Sequence, residues 1–144
     1  MTKEATTHSV SVAGVVIDPD GHVLVIQRRD NGHWEPPGGI LELGETLEQG
    51  VQREVLEETG VQVTVDGLSG VYKNMNRGIV ALVYRCSIAA GQPRLSSETT
   101  SVRWVDRDQI DVLMSPAYAT RVHDAFSTTA TSRAHDGVNL IDRH

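Results

Sequence analysis

Residues 39–61 read GILELGETLEQGVQREVLEETGV, and this stretch decides how the rest of the chain is interpreted. Three glutamates, Glu54, Glu57 and Glu58, follow Arg53 near the end of a segment with the pattern of a single helix. At 100° of rotation per residue, the three carboxylates fall within an arc of roughly 100° on one side of that helix. Like charges repel one another at such spacing, so this side of the helix requires a compensating group.

The apolar stripe of the same helix places these carboxylates at the edge of the core. Leu47, Val51 and Val55 lie within roughly 20 to 100° of Glu54 on the helical wheel. Burial of neighbouring carboxylates is costly unless positive charge compensates it, and a single arginine cannot neutralise three charges. The pattern favours a hard divalent cation with oxygen ligands, Mg²⁺ or Mn²⁺. The alternative is an acidic helix face that is simply solvated.

A rigid loop precedes the helix and extends the pattern. Residues 34–40, WEPPGGI, combine two prolines, which fix φ, with two glycines, which permit close backbone approach. From Gly39 onward, every fixed position of the Nudix box is filled in order, and nine specified positions match over 23 residues. The chain therefore resembles the Nudix hydrolases, a family that cleaves nucleoside diphosphates linked to a further group X. Residues 23–29 and 102–105 also resemble the strands of that family.

The resemblance implies a role for each residue of the motif. It implies that the metal ligands are Glu54, Glu57, Glu58 and the main-chain carbonyl of Gly38. It also implies that Arg53 and Glu45 form a supporting pair, whose charge-assisted hydrogen bonds orient the metal ligands. Gly60 follows the last helical residue, where a left-handed C-cap is expected.

Further site residues are expected outside the helix. Glu98 lies in a polar loop six residues before Trp104, and several Nudix hydrolases place an additional glutamate in this region as a metal ligand or base. Arg28 and Arg29 end the strand before the glycine-rich loop, so with Gly39 they are expected to bind substrate phosphates. The alternatives are an exposed loop carboxylate for Glu98 and exposed strand-end charges for the arginines. Family members differ over the general base, which leaves Glu57, Glu58 and Glu98 as candidates.

Composition narrows the class of protein. A chain of 144 residues has the size of one domain, and its formal net charge of −6 argues against a broad surface for nucleic-acid polymers. Cys86 is the sole cysteine, which excludes a disulfide framework and a cysteine-based zinc site, and a buried inert thiol is expected. The dispersed histidines predict no histidine-bound zinc. Without an apolar run of membrane-spanning length, we expect a cytoplasmic protein with no membrane partner.

The predicted elements indicate an α/β domain. Strands are expected at 9–17, 22–28, 61–73, 78–88 and 101–106, and helices at 46–59, 107–113 and 116–127. The first two strands are expected to form a hairpin. The polar stretch from Tyr72 to Arg77 is expected to be a plain hairpin loop, with a border of the substrate pocket as the alternative. The predicted domain spans 8–127, between a flexible N-terminus (1–7) and a mobile tail (128–144). The Nudix resemblance implies an α/β/α sandwich with a mixed β-sheet between helices.

The function expected from the resemblance is metal-assisted hydrolysis of a phosphoanhydride bond. The leading substrate is a nucleoside triphosphate, oxidised deoxynucleotides included, which would yield a monophosphate and pyrophosphate. ADP-ribose, nucleotide sugars and dinucleoside polyphosphates are the alternatives, although no proline lies between Pro37 and Pro93, where some ADP-ribose hydrolases carry one. A nucleotide sensor without catalysis is an alternative of another class, but such domains tend to lose box carboxylates that this chain retains. The sequence leaves open whether the protein forms a homodimer.

Overall fold

The computed structural model describes residues 7–141. The first half contains strands β1 (Ser9–Val16), β2 (Val23–Arg28), β3 (Trp34–Glu35) and β4 (Gly38–Ile40), followed by helix α1 (Leu47–Thr59). The second half contains β5 (Gln62–Asn74), β6 (Ile79–Ala90), β7 (Thr99–Val105), α2 (Ile110–Leu113), α3 (Pro116–Asp124), β8 (Thr131–His135) and β9 (Leu140–Ile141). A 3₁₀ turn, Arg107–Gln109, leads into α2.

The strands form two sheets. Six strands in the order β4-β1-β6-β5-β8-β9 form a mixed sheet, in which β1 runs parallel to β6 and β5 runs parallel to β8. The strands β3-β2-β7 form a smaller antiparallel sheet. The predicted mixed sheet is therefore confirmed.

Apolar residues cover both sides of these strands. Because side chains alternate along a strand, Val12 and Val16 of β1 pack with Val51 and Val55 of α1, while Val15 packs in a second cluster on the other side. That second cluster includes Ile110 of α2 and Val122 of α3. The two buried clusters place α1 on one side and α2 with α3 on the other, which confirms the layered α/β arrangement.

Helix α1 begins and ends as its sequence predicts. The Thr46 hydroxyl accepts the Gln49 backbone N–H at 3.1 Å, and the Gln49 side chain accepts the Thr46 N–H at 2.9 Å, which completes a capping box. Gly60 adopts φ = 80° and donates its N–H to the Leu56 carbonyl. Within the helix, a Cβ at Gly50 would lie 2.7 Å from the Leu41 side chain, so the glycine allows this close packing.

The predicted hairpin of β1 and β2 is wrong. The residues between them do form a turn, since the Asp18 N–H donates to the His22 carbonyl, but only the bridge between Ile17 and Val23 joins the strands. β1 pairs with β4 and β6, whereas β2 pairs with β3 and β7 in the other sheet. The local turn signal was correct, but pairing with distant strands occupies both edges of β1 and of β2.

The mobile tail predicted from residue 128 is also wrong for most of its length. Strand β8 pairs in parallel with the end of β5, and its last residue, His135, is completely buried. The polar composition suggested disorder, but backbone pairing with β5 orders the segment. Residues 1–6 of the predicted flexible N-terminus and residues 142–144 lie outside the described residues.

Two further observations bear on the class of protein. None of the helices in residues 7–141 is long and apolar enough to cross a membrane. Cys86 is 1% exposed, and burial raises the pKa of its thiol to about 12, which agrees with the predicted inert thiol.

Candidate active site

A cavity of about 770 Å³ brings the motif together with residues from distant parts of the chain. Its size falls within the usual range for small-molecule sites. The lining includes box residues Gly39, Arg53, Glu54 and Glu58, together with the sequence-predicted Gly38, Arg28 and Glu98. Glu45 and Glu57 are not among the lining residues. A smaller cavity of about 340 Å³ contains none of the predicted site residues; it is lined by Arg103, Asp106, Asp108, Gln109, Val112 and Leu113.

Arg53 is the centre of the acidic part of this cavity. Its guanidinium donates to both oxygens of Glu45, from Nε at 2.9 Å and from Nη2 at 2.6 Å. Its Nη1 donates to Glu54 at 2.7 Å and to Glu57 at 3.3 Å. These bonds lower the pKa of Glu45 to about 2, the Arg53 hydrogen bond being the largest cause. The supporting pair implied by the family resemblance is present, and it links Glu45 to two of the three box glutamates.

The two glycines of the loop, Gly38 and Gly39, each allow a different close contact. A Cβ at Gly39 would lie 2.7 Å from Oε2 of Glu54, so the absence of a side chain gives this carboxylate its position. A Cβ at Gly38 would lie 2.5 Å from the Val12 carbonyl oxygen, so Gly38 allows β4 to approach β1. The Gly38 N–H also donates to Oε1 of Glu58 at 2.7 Å.

The surroundings of Glu58 and Glu54 disfavour the ionised forms of both side chains. Glu58 is 3% exposed, and burial raises its pKa to about 8, with Glu54 and Glu35 acting in the same direction against the Gly38 N–H. Burial also raises the pKa of Glu54, and the charges of Glu57 and Glu98 add to this rise although Arg53 opposes it. Two carboxyl groups that line one cavity and whose ionised forms are disfavoured by burial form an oxygen donor set of the kind that suits a hard divalent cation. The donor chemistry therefore fits Mg²⁺ or Mn²⁺.

Glu98 lies where the sequence predicted a further carboxylate. It is exposed, lines the cavity and is close enough to influence the pKa of Glu54. Arg29 is not a lining residue of this cavity: its side chain donates to the carbonyls of Ser97 at 3.1 Å and Thr99 at 3.2 Å. Its backbone N–H donates to the Glu98 carbonyl at 2.9 Å. Arg29 therefore holds the loop that carries Glu98, rather than facing the cavity as predicted.

Arg28 does line the cavity, but carboxylates already engage it. Its Nη2 and Nε donate to Asp30 at 2.8 and 2.9 Å, and its Nη1 donates to Glu35 at 3.3 Å. These bonds raise its pKa above the ordinary range, the Asp30 hydrogen bond being the largest cause. A phosphate would have to share Arg28 with these two partners.

The sequence analysis assigned no site role to several lining residues: Arg121 and Tyr118 on α3, Glu35 on β3, and His135 on β8. His135 falls in the predicted mobile tail. Asn74, the last residue of β5, and Arg77, in the turn after it, also line the cavity, as in the alternative interpretation of that stretch as a pocket border. A signal for Arg121 did exist, because it lies four residues after buried Ala117 on the same side of α3.

A group of potential metal ligands also lies outside the cavity. Oxygen or nitrogen atoms of Asp18, Asp20 and His22 lie within 4.8 Å of one another on the surface. Oδ1 of Asp18 accepts the N–H groups of Asp20 and His22, so the turn accounts for this cluster. It is separate from the box carboxylates, of which Glu54 and Glu57 are held by Arg53.

Comparison with known proteins identifies the family. The model of the NUDIX domain matches residues 7–126. A MutT-like protein of Streptomyces ambofaciens is 55% identical over 143 residues, which cover 96% of this chain and 93% of the relative. A Bacillus subtilis relative named a putative 8-oxo-dGTP diphosphatase is 29% identical over 76% of this chain and 74% of its own length. A Methanocaldococcus jannaschii relative named an ADP-ribose pyrophosphatase is 31% identical over 73% of this chain and 66% of its own length.

A solved structure supports the same fold. The NUDIX hydrolase of Nitrosomonas europaea superposes with a TM-score of 0.79 at 20% identity, covering 93% of this chain and 83% of that one. The family model covers most of the chain, and Arg53, Glu54 and Glu58 of the box line one cavity. The chain therefore belongs to the Nudix hydrolases, enzymes that act on phosphoanhydride bonds.

Proposed function

We propose that this Nudix hydrolase requires Mg²⁺ or Mn²⁺ and cleaves a nucleoside triphosphate to the monophosphate and pyrophosphate. The observation that carries the proposal is a cavity large enough for a nucleotide that is lined by Arg53, Glu54 and Glu58. The same Arg53 also binds Glu45 and Glu57. The Bacillus subtilis relative is named a putative 8-oxo-dGTP diphosphatase, and this name supports a nucleoside triphosphate as the substrate class.

The residues that would hold the cation are Glu54, Glu57 and Glu58, with the Gly38 carbonyl and Glu98 as further oxygen donors. When bound, the cation supplies charge that polarises a phosphoryl oxygen and stabilises negative charge at phosphorus. Arg53 restrains Glu54 and Glu57, and the Gly38 N–H restrains Glu58. This restraint fixes the carboxylate oxygens before substrate binds, which limits the rearrangement required for catalysis.

One carboxylate must accept a proton from the attacking water. Glu57, Glu58 and Glu98 are the proposed candidates. The two exposed ones, Glu57 and Glu98, have ready access to water, whereas Glu58 is buried with one oxygen bound to the Gly38 N–H. Replacing each by glutamine and recording the pH profile of kcat would identify the base, because its loss removes the acidic limb of that profile.

A substrate screen with chromatographic identification of products tests the proposed activity. Nucleoside triphosphates, ADP-ribose, a nucleotide sugar and a dinucleoside polyphosphate would each be incubated with Mg²⁺ and, in parallel, with EDTA. We expect pyrophosphate and a monophosphate from the triphosphates, and no product in EDTA. Cleavage of ADP-ribose alone would favour the activity named for the Methanocaldococcus jannaschii relative. Nucleotide binding without any cleavage would indicate a sensor and contradict the proposal.

A further inference from the structure

A second part of the cavity is built from hydrogen-bond donors and contains a buried guanidinium. Arg121 lines the cavity and is 8% exposed, and its Nε has no hydrogen-bond partner in residues 7–141. The guanidinium lies over the rings of Tyr118, at 4.5 Å, and Tyr72, at 5.2 Å, which hold it in place. Glu35 is a nearby opposite charge, but its hydrogen bond is with Arg28. A buried guanidinium with an unpaired Nε is costly unless a ligand supplies an acceptor.

The imidazole next to Arg121 adds a second donor. Nδ1 of His135 accepts the Gly137 N–H at 2.9 Å. A neutral imidazole has a single acceptor nitrogen, so Nε2 of His135 carries the hydrogen. This Nε2 faces Nη2 of Arg121 at 3.3 Å. Two donors that face each other need an acceptor that both can reach.

Asn74 supplies a third donor by the same reasoning. Its Oδ1 accepts the N–H groups of Asn76, at 3.0 Å, and Arg77, at 3.2 Å. This assignment leaves the Nδ2 amide of Asn74 as a donor, and Asn74 is a lining residue of the cavity. The parallel register pairs Asn74 of β5 with His135 of β8, which brings the two side chains to the same region. Arg121, His135 and Asn74 together are called the donor cluster.

We propose that the donor cluster binds an oxyanion of the substrate, namely a phosphate outside the phosphoanhydride bond that is cleaved. A phosphate offers only acceptors at neutral pH and carries the charge that a buried guanidinium lacks. A neutral sugar would bring hydroxyl donors to the cluster and leave the charge uncompensated. The terminal phosphate of a nucleoside triphosphate has the required chemistry, so the inference rests on the proposed function and narrows its substrate class. His135 lies beyond the segment that the family model matches.

Binding of inorganic pyrophosphate in EDTA tests the donor cluster without any cation or turnover. Isothermal titration of the wild-type chain should show one bound pyrophosphate. Arg121→Gln should weaken this binding by about 10-fold or more, because a charge-assisted hydrogen bond is lost. Arg103→Gln, which removes an exposed arginine from outside this cavity, should match the wild type. Absence of binding in the wild type, or equal binding by Arg121→Gln, would overturn the inference.

A second measurement tests the donor cluster in the wild-type chain and does not depend on whether Arg121→Gln folds. In the wild-type chain, the ¹⁵N resonance of the Arg121 Nε–H group should shift when pyrophosphate is added in EDTA, since this atom has no other partner in residues 7–141. Arg121→Lys, which retains the charge but lacks Nε, serves to assign that resonance. An unchanged resonance at saturating pyrophosphate would overturn the inference. These two binding measurements in EDTA involve no hydrolysis. A failure of the proposed activity is therefore distinguishable from a failure of the anion site.

A third measurement separates a phosphate from a nucleobase as the group bound. With Mg²⁺ present, Arg121→Gln should raise the KM for ATP and GTP by the same factor, because both carry the same phosphates. A rise confined to GTP would mean that the cluster binds the O6 and N7 edge of guanine, and would overturn the phosphate assignment.

Discussion

The two parts of the cavity differ in how the chain assembles them. The acidic part comes from one short stretch, in which a helix and the loop before it supply Arg53, Glu54, Glu58 and both glycines to the cavity lining. The same helix supplies Glu57, which Arg53 binds. The donor cluster comes from β5, α3 and β8, and depends on the parallel pairing of β5 with β8. Local spacing is enough to specify the first part. The second part exists only when the whole domain is folded, so mutations should affect the two parts differently.

The largest expected effect is loss of turnover on removal of a box carboxylate. Glu57→Gln should lower turnover by about 10²–10⁴-fold, whether Glu57 binds the cation or accepts the proton. The thermal midpoint should change little, because the Glu57 side chain is 60% exposed. Glu48→Gln is the matched control, since Glu48 is exposed on the same helix and, unlike Glu57, is not bound by Arg53. Full activity in Glu57→Gln under Mg²⁺ would remove the basis of the assignment.

A smaller loss is expected from adding a methyl group at the loop. Gly39→Ala places a Cβ 2.7 Å from the Glu54 carboxylate, which must shift. A displacement of this kind should lower kcat by about 10²-fold. Gly44→Ala is the control, because a Cβ there meets no atom within 4 Å. Equal kinetics for Gly39→Ala and the wild type would show that the position of Glu54 is not critical.

Replacement of Arg53 should lower activity even when the positive charge is kept. Arg53→Lys keeps one positive charge but loses the paired bonds to Glu45 at 2.6 and 2.9 Å. We expect kcat to fall by about 10–100-fold, as for residues that orient metal ligands. The Mg²⁺ concentration for half-maximal rate should rise as well, which an effect on substrate alone would not produce. Arg103→Lys, outside the cavity, provides the comparison.

His135 of the donor cluster should affect how the free energy of unfolding depends on pH, rather than the chemical step. Burial, followed by the charge of Arg121, lowers the pKa of His135 below its ordinary value of 6.5. The unfolded chain therefore binds a proton at His135 that the folded chain resists, and stability is lost as pH falls through and below about 6.5. Urea unfolding between pH 7.5 and 5.5 should show this loss in the wild type and a flatter dependence in His135→Gln.

Exposed His8 provides the control for the pH measurement. His8→Gln should retain the wild-type pH dependence, because the buried His135 is unchanged in that variant. If His135→Gln and the wild type lose stability in parallel as pH falls, His135 is not held neutral by its surroundings.

Sequence reasoning reached the acidic part because its determinants are local. The helix period, the capping residues Thr46 and Gln49, and the C-cap Gly60 all act within a few residues of each other. Glu98 was identified through the family resemblance, and the structure places it near Glu54. The role of Arg29 was not accessible, because a basic side chain at a strand end gives no indication that distant carbonyls will bind it.

The donor cluster could not be predicted from the sequence, for a related reason. Its formation depends on strand pairing, and the sequence from Ser127 onward is polar enough to suggest disorder. Only the register of β8 against β5 shows that His135 is buried beside Asn74. The incorrect hairpin of β1 and β2 has the same origin, since a strong turn at Asp18 does not specify which strands pair. Local chemistry predicted the motif, and long-range pairing determined the rest of the cavity.

Binding of Mn²⁺, followed by electron paramagnetic resonance with nucleotide present, tests the central claim most directly. The account predicts that the wild type and Asp20→Asn, which alters the surface cluster of Asp18, Asp20 and His22, bind Mn²⁺ equally. It also predicts that Glu54→Gln/Glu57→Gln, with a thermal midpoint close to the wild type, loses this bound Mn²⁺. Undiminished Mn²⁺ binding by the folded double variant would contradict the account.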